Sequence, residues 1–313
     1  MRALIAALAA AICLSSVPAR ADDPPAQSKR IINGARVDVE TQRSRGLVTV
    51  FDVNGSCSGT MLTHKWVITA DHCITTDGNI GGPPVPLANL VVTATWSATM
   101  AQPTQYVRFS GAPNNLDIAL VELGDVDMGG PVRALPELDT GTLVTTLGIL
   151  KNGRGFSFFA RRDPGPPPRD IASGGGGPYR EAIFAASGIV ANSYRLQMNG
   201  NNQVGAAGDS GGSDWMLRAG QAPLMVGITS RCARTGCLAG QICNPADPWT
   251  WATGISSCTS DRISPIRNDI IRAACDQKAN FLLRPTFGSL RWRCVPRSIK
   301  SFQVIDLLLL TNN

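Results

Sequence analysis

The chain has 313 residues, of which 43% are hydrophobic and 17% charged, with a formal net charge of +6. That is enough apolar material for one large or two small folded units. No Lys or Arg cluster is dense enough to indicate nucleic acid, and with only two histidines, His64 and His72, a Cys/His zinc site would have very few nitrogens available.

The chain opens "MRALIAALAAAICLSSVPARADDPP". Arg2 supplies a positive start, Ala3 to Val17 an apolar run, and Ala19-Arg20-Ala21 a small-x-small cleavage site, so residues 1–21 read as a secretory signal peptide. The run is shorter than the ~20 apolar residues that cross a bilayer, so no membrane association is expected. The predicted location is outside the cytoplasm, extracellular or periplasmic. Removing residues 1–30 takes four basic and two acidic groups and leaves +4. Cys13 leaves with the signal. Cys57, Cys73, Cys232, Cys237, Cys243, Cys258, Cys275 and Cys294 remain, and an even set in an exported chain favours disulfides over metal. The pairing of the last six is not readable from spacing.

From Gly46 to Leu123, short β-prone runs alternate with turn residues. The runs are 46–51, 57–63, 66–70, 89–96, 105–109 and 117–123, separated by Asn54-Gly55, Asp77-Gly78 and "GGPPVP" at 81–86. A second series covers 142–150, 181–190, 194–198, 222–230 and 250–256. The tract 161–178, "RRDPGPPPRDIASGGGGP", is too rich in Pro and Gly for regular structure and reads as a surface loop. Only 264–277 reads as helix, with Ser264 as cap, Pro265 in the first turn, and Ile266, Ile270, Ile271 and Ala274 on one face. The pattern is two β units and a closing helix.

Three segments carry reactive groups. "WVITADHC" places His72 beyond an apolar strand and beside Cys73, "NNLDIALVEL" places Asp117 before another, and "GDSGG" places Ser210 in a loop of small residues. Each alone is commonplace. Their combination is chemically coherent. A serine hydroxyl needs a positioned base, a neutral imidazole can take its proton and return it, and a carboxylate on the other ring nitrogen holds the useful tautomer.

With these flanks and in this order, "TADHC" (69–73), "DIAL" (117–120), "GDSGGS" (208–213) and the upstream "KRIINGARV" (29–37) resemble the chymotrypsin/trypsin family of serine proteases. The resemblance covers roughly residues 30–277. It implies an all-β fold of two six-stranded antiparallel β-barrels, about 31–140 and 141–263, with the active site between them and a C-terminal helix at 264–277. It implies a secreted endopeptidase made as a zymogen, needing no cofactor or metal and acting on protein or peptide substrates. His72, Asp117 and Ser210 would be catalytic, the backbone N–H groups of Gly208 and Ser210 would form the oxyanion hole, and Ser230 would support the triad acid. Residues 22–30 would be an activation peptide cut after Arg30, freeing Ile31 to pair with Asp209. Cys57–Cys73 would be the bridge beside the histidine.

Several positions depart from the family pattern. Asp71 replaces the usual alanine before the histidine; since an unpaired buried carboxylate is costly, its side chain is expected to face solvent. In the specificity pocket, Val204 stands where trypsin has an aspartate, Arg231 where an aromatic is usual, and Cys232 where a small wall residue is usual. Nothing at Val204 balances a cation, so an apolar or small side chain before the scissile bond is expected, and cleavage after Arg30 would fall to a separate activating protease. Residues 278–313 lie outside the resemblance and form a C-terminal extension, in which Cys294 could tie back to Cys275. The alternative function is a catalytically inactive protease homologue that acts as a binding protein on the same fold.

Overall fold

The computed structural model describes residues 31, 34–52, 55–124, 126–129, 135–144, 147–154, 179–201, 203–205, 208–234, 255–274, 281–285 and 291–296. A two-residue strand β1 (Ala35–Arg36) leads into helix α1 (Val39–Arg45), which the sequence reading did not anticipate. Its signals are local but brief. Asp38 accepts the Thr41 N–H at its N-terminus (2.8 Å), and Gly46 closes it at φ 71° in the left-handed region. Seven residues are too few to display a helical apolar period.

Strands β2 (Leu47–Asp52), β3 (Gly55–Met61), β4 (Trp66–Thr69), β5 (Val91–Thr93), β6 (Gln105–Arg108) and β7 (Ala119–Glu122) form one antiparallel sheet in the order β5-β2-β3-β4-β7-β6. The sheet curls on itself, and its two edges meet through the bridge Val92↔Ala101 on the chain that feeds β6. The run expected at 89–96 shrinks to three residues, because Leu87–Asn89 turns as a 3-10 helix.

The second half holds β8 (Leu135–Pro136), β9 (Gly148–Gly153), β10 (Arg180–Ser187), β11 (Ser193–Gln197), β12 (Ser213–Met216), β13 (Leu224–Arg234) and β14 (Ile255–Arg262). Six of these run β10-β11-β14-β13-β12-β9, and the β9–β10 ladder closes them into a barrel, with β1 added on β10. The strand expected at 142–150 begins only at Gly148. Strand β12 escaped notice because "SDWM" does not alternate; all four residues are buried.

After β14 a 3-10 turn (Ser264–Ile266) passes into α2 (Arg267–Ala274). The predicted cap is corrected: Ser264 lies inside the 3-10 turn, and no side-chain cap bond forms there. Residues 275–277 fall outside the described residues, as do Cys275 and its suggested bridge to Cys294. Strands β15 (Phe281–Pro285) and β16 (Arg291–Pro296) pair with each other and, through β16, with β8, so the tail returns to the middle of the chain.

The main core lies between the two sheets. Leu62, Trp66, Ile68, Ile118 and Leu120 of the first pack with Leu150, Trp215, Met225 and Ile228 of the second and with Ile266 and Ile270 of the closing helix. Each such large apolar side chain stabilises by ~1.5–3 kcal/mol on full burial. The chain is therefore all-β with a closing helix, and its two β units meet on a common apolar seam. The segments that carry His72, Asp117 and Ser210 line that seam.

Candidate active site

Strand β4 delivers the chain into a 3-10 turn, Asp71–Ile74, that carries His72. A disulfide joins Cys57 of β3 to Cys73 of this turn, with Cα atoms 6.0 Å apart. Asp71 corrects the solvent-facing expectation, since it is fully buried. Its carboxylate accepts Arg108 Nε (2.6 Å), Arg108 Nη2 (2.8 Å) and the Gly81 N–H (2.8 Å). The partner that makes this burial tolerable sits 37 residues away on β6.

Asp117, fully buried ahead of β7, accepts the His72 backbone N–H on Oδ1 (2.8 Å). Its Oδ2 lies 2.7 Å from His72 Nδ1 and accepts the Ser230 hydroxyl (2.5 Å). Burial alone would raise the Asp117 pKa. The hydrogen bond and charge attraction of His72, followed by the Ser230 hydroxyl, more than offset it and hold the carboxyl below the ordinary aspartate value. A second acid adjoins it: Asp261 of β14 accepts the Asp117 backbone N–H (2.5 Å). Burial pushes Asp261 up to about 6; the Asp117 N–H and Arg231 pull downward and the Asp117 charge pushes upward.

The small residues around Ser210 are explained by close approach. Gly208 has φ +84° and Gly211 φ +78°, both left-handed, and a Cβ on Gly211 would stand 2.2 Å from the Ser58 carbonyl oxygen and from Thr69 Oγ1. Ser58 pins the loop from the other sheet, donating its N–H to Ser210 O (2.7 Å) and its hydroxyl to Gly208 O (2.9 Å). Asp209 is fully buried and accepts the Ile31 backbone N–H on Oδ2 (3.1 Å). Ser210 Oγ donates to the Ser230 carbonyl oxygen (3.4 Å), and His72 Nε2 stands 3.8 Å from Cys73 Sγ. Among the described residues no Ser210–His72 hydrogen bond is formed. Both side chains nonetheless line one cleft of about 250 Å³, with Val50, Asp52, Cys57, Cys73, Thr75 and Gly208.

The structure thus brings together His72, Asp117, Ser210, Gly208 and Ser230, and it brings Ile31 to Asp209. Arg30 lies outside the described residues. Val204 is fully buried, whereas Arg231 is exposed on β13. Asp261 and Arg108 were not singled out by the sequence, which carries no local signal for either. Cys57 Sγ, Cys73 Sγ and a ring nitrogen of His72 lie within 4.8 Å of one another, but the two sulfurs are bonded to each other and leave no thiolate for a metal. A second bridge, Cys232–Cys258, crosses β13 and β14.

The fold and site define an all-β protein with a histidine, a carboxylate and a serine converging where its two larger sheets meet. No protein-family model matches the chain. Over 114 residues, 36% of this chain, it is 31% identical to a protein of Corynebacterium glutamicum (strain R) named "Uncharacterized peptidase". It is 30% identical over the same length to a protein of strain ATCC 13032 whose name also goes no further than peptidase. The matched stretch spans 40% of the length of each of these relatives. Among the described residues no helix is long and apolar enough to cross a membrane.

Proposed function

We propose that the protein is an exported serine endopeptidase made as a zymogen, cutting protein or peptide substrates. The observation that carries this reading is His72 Nδ1 at 2.7 Å from a fully buried Asp117, with Ser210 in the same cleft. In that arrangement Asp117 holds the proton on Nδ1, so Nε2 is the basic nitrogen. Ser210 Oγ attacks the substrate carbonyl carbon and its proton passes to Nε2. The backbone N–H groups of Gly208 and Ser210 receive the oxyanion. Collapse breaks the C–N bond, His72 returns the proton to the departing amine, and water then releases the acyl group by the same route in reverse. The two relatives named as peptidases support the reaction class.

For activation, a separate protease cuts after Arg30, and the new Ile31 ammonium replaces the neutral N–H that reaches Asp209, turning a hydrogen bond into a buried ion pair. A second reading, an inactive homologue that binds without cutting, draws on Ser210 Oγ bonding the Ser230 carbonyl rather than His72. Catalytic hydrogen bonds are often long or unformed without substrate, so this contact weighs less than the His72–Asp117 pair. The deciding test is covalent labelling by a fluorophosphonate after trypsin treatment and verification of an Ile31 terminus, with Ser210→Ala as control. Labelling that requires cleavage and Ser210 supports the enzyme; no labelling despite an Ile31 terminus supports the binding protein.

A further inference from the structure

The two flanks of Ser210 differ in shape, and the proposed chemistry assigns a side of the substrate to each. His72 must hand a proton to the departing amine, so the amine side of the substrate lies over the cleft that His72 lines with Val50, Cys57 and Thr75. The acyl side then lies on the opposite flank, along β13, whose Ser230 carbonyl oxygen stands 3.4 Å from Ser210 Oγ. Among the described residues, β13 outruns its neighbour on that flank. Pairing with β12 reaches Ser213↔Ile228, whereas β13 continues to Arg234 with β14 on its other side. Such an edge is where an extended peptide adds as a further strand.

The side chain of the acyl residue would have to enter the space bounded by β13, β14 and the segment that carries Gly205. The Cys232–Cys258 bridge occupies that space. A Cβ on Gly205 would stand 2.5 Å from Cys258 Sγ and 3.3 Å from Cys232 Sγ, so the sulfurs lie against Gly205 where a side chain would collide with them. The same Cβ would stand 3.1 Å from Lys151 Cε, which forms the floor. Lys151 is fully buried, with Nζ bonded to Thr229 Oγ1 and 3.5 Å from Asp214 Oδ1, and Asp214 also accepts the Tyr194 hydroxyl (2.8 Å). A side chain reaching inward would meet two sulfurs and then a lysine already committed to partners. A cationic one would in addition meet like charge.

We infer that the Cys232–Cys258 bridge closes the acyl-side pocket and confines cleavage to bonds that follow glycine or alanine. This rests on the serine endopeptidase reading and narrows its substrate class. Each methylene that fails to fit a closed pocket changes kcat/KM by roughly 10–200-fold, so leucine and phenylalanine stand at least ~100-fold below alanine.

The test uses full-length protein processed to Ile31, with active sites counted by fluorophosphonate titration. Turnover per titrated site is measured on one series of thioesters whose acyl residue is Gly, Ala, Val, Leu, Phe, Lys or Glu. The expected profile is Gly and Ala high and all others at least ~100-fold lower. In the double variant Cys232→Ala/Cys258→Ala, the Leu/Ala and Phe/Ala ratios rise at least tenfold. A wild-type profile in which Leu or Phe equals Ala overturns the inference even if the variant fails to fold. So does a folded, titratable variant whose ratios do not move. Absence of fluorophosphonate labelling in the wild type removes the endopeptidase reading itself, and this inference with it; labelling with a broad profile removes the inference alone.

Discussion

Asp71 and Arg108 form a two-point ion pair, 2.6 and 2.8 Å, in which the carboxylate is fully buried and the guanidinium 20% exposed. The pair fastens the turn that carries His72 to strand β6. Removing one partner strands a charge in the interior, which costs more than the pair contributes. Arg108→Met should therefore lower stability by about 3–5 kcal/mol, and adding Asp71→Ala should recover a good part of that loss. Urea titration of the wild type, both single variants and the double variant checks it; equal losses in the single and double variants would mean that the charge pair is not the cause.

The Asp117–Asp261 contact predicts a pH dependence of stability. Asp261 has a folded pKa near 6, above the ordinary aspartate value of 3.8. The folded state therefore holds a proton that the unfolded state releases, and stability falls as pH rises from about 4 to 6. Above that range the full penalty applies. Asp261→Asn keeps an oxygen that can accept the Asp117 N–H and removes the charge. It should stabilise the protein by roughly 1–3 kcal/mol at pH 7.5 and by little at pH 4. Chemical denaturation at the two pH values reads the difference directly.

Asp117 works in the opposite direction. Its folded pKa is depressed, so its contribution is present above the ordinary aspartate value and is lost as pH falls through the lower, folded one. Ser230→Ala removes one of the hydrogen bonds that depress it, at 2.5 Å. The variant should start losing stability to acid at a higher pH than the wild type, with a loss of about 1.5–3 kcal/mol at neutral pH for a charge-assisted bond. Acid-unfolding curves of both proteins by circular dichroism test this.

Cys57–Cys73 closes a short loop, with a sequence separation of 16, and holds the histidine turn against β3. Loop closure of that size is associated with about 3 kcal/mol of stability. Cys57→Ser/Cys73→Ser should cost ~2–4 kcal/mol in denaturant and slow fluorophosphonate labelling, because the turn that carries His72 is then no longer bonded to β3. Unchanged labelling together with lost stability would confine the bridge to a structural role.

Much of the framework was legible because it is local. The runs at 66–70 and 105–109 became β4 and β6, since a buried strand needs only neighbouring β-prone residues and bounding turns. The small-residue segment 208–213 also announced itself, because a glycine at positive φ or against a foreign carbonyl oxygen is needed whatever the rest of the chain does. Helix α1 and strand β12 were missed, being too short or too evenly buried to show a period.

What the chain order alone determined is where strands could form and which reactive side chains stand at their ends. Only the tertiary structure decided who pairs with whom. Asp71 found Arg108 across 37 residues, Asp261 reached the Asp117 N–H across 144, and Cys232 met Cys258 rather than another of the later cysteines. Charge, burial and sulfur bonding act through space, and their partners come from separate strands. No local pattern records those neighbours until the sheets have curled and packed.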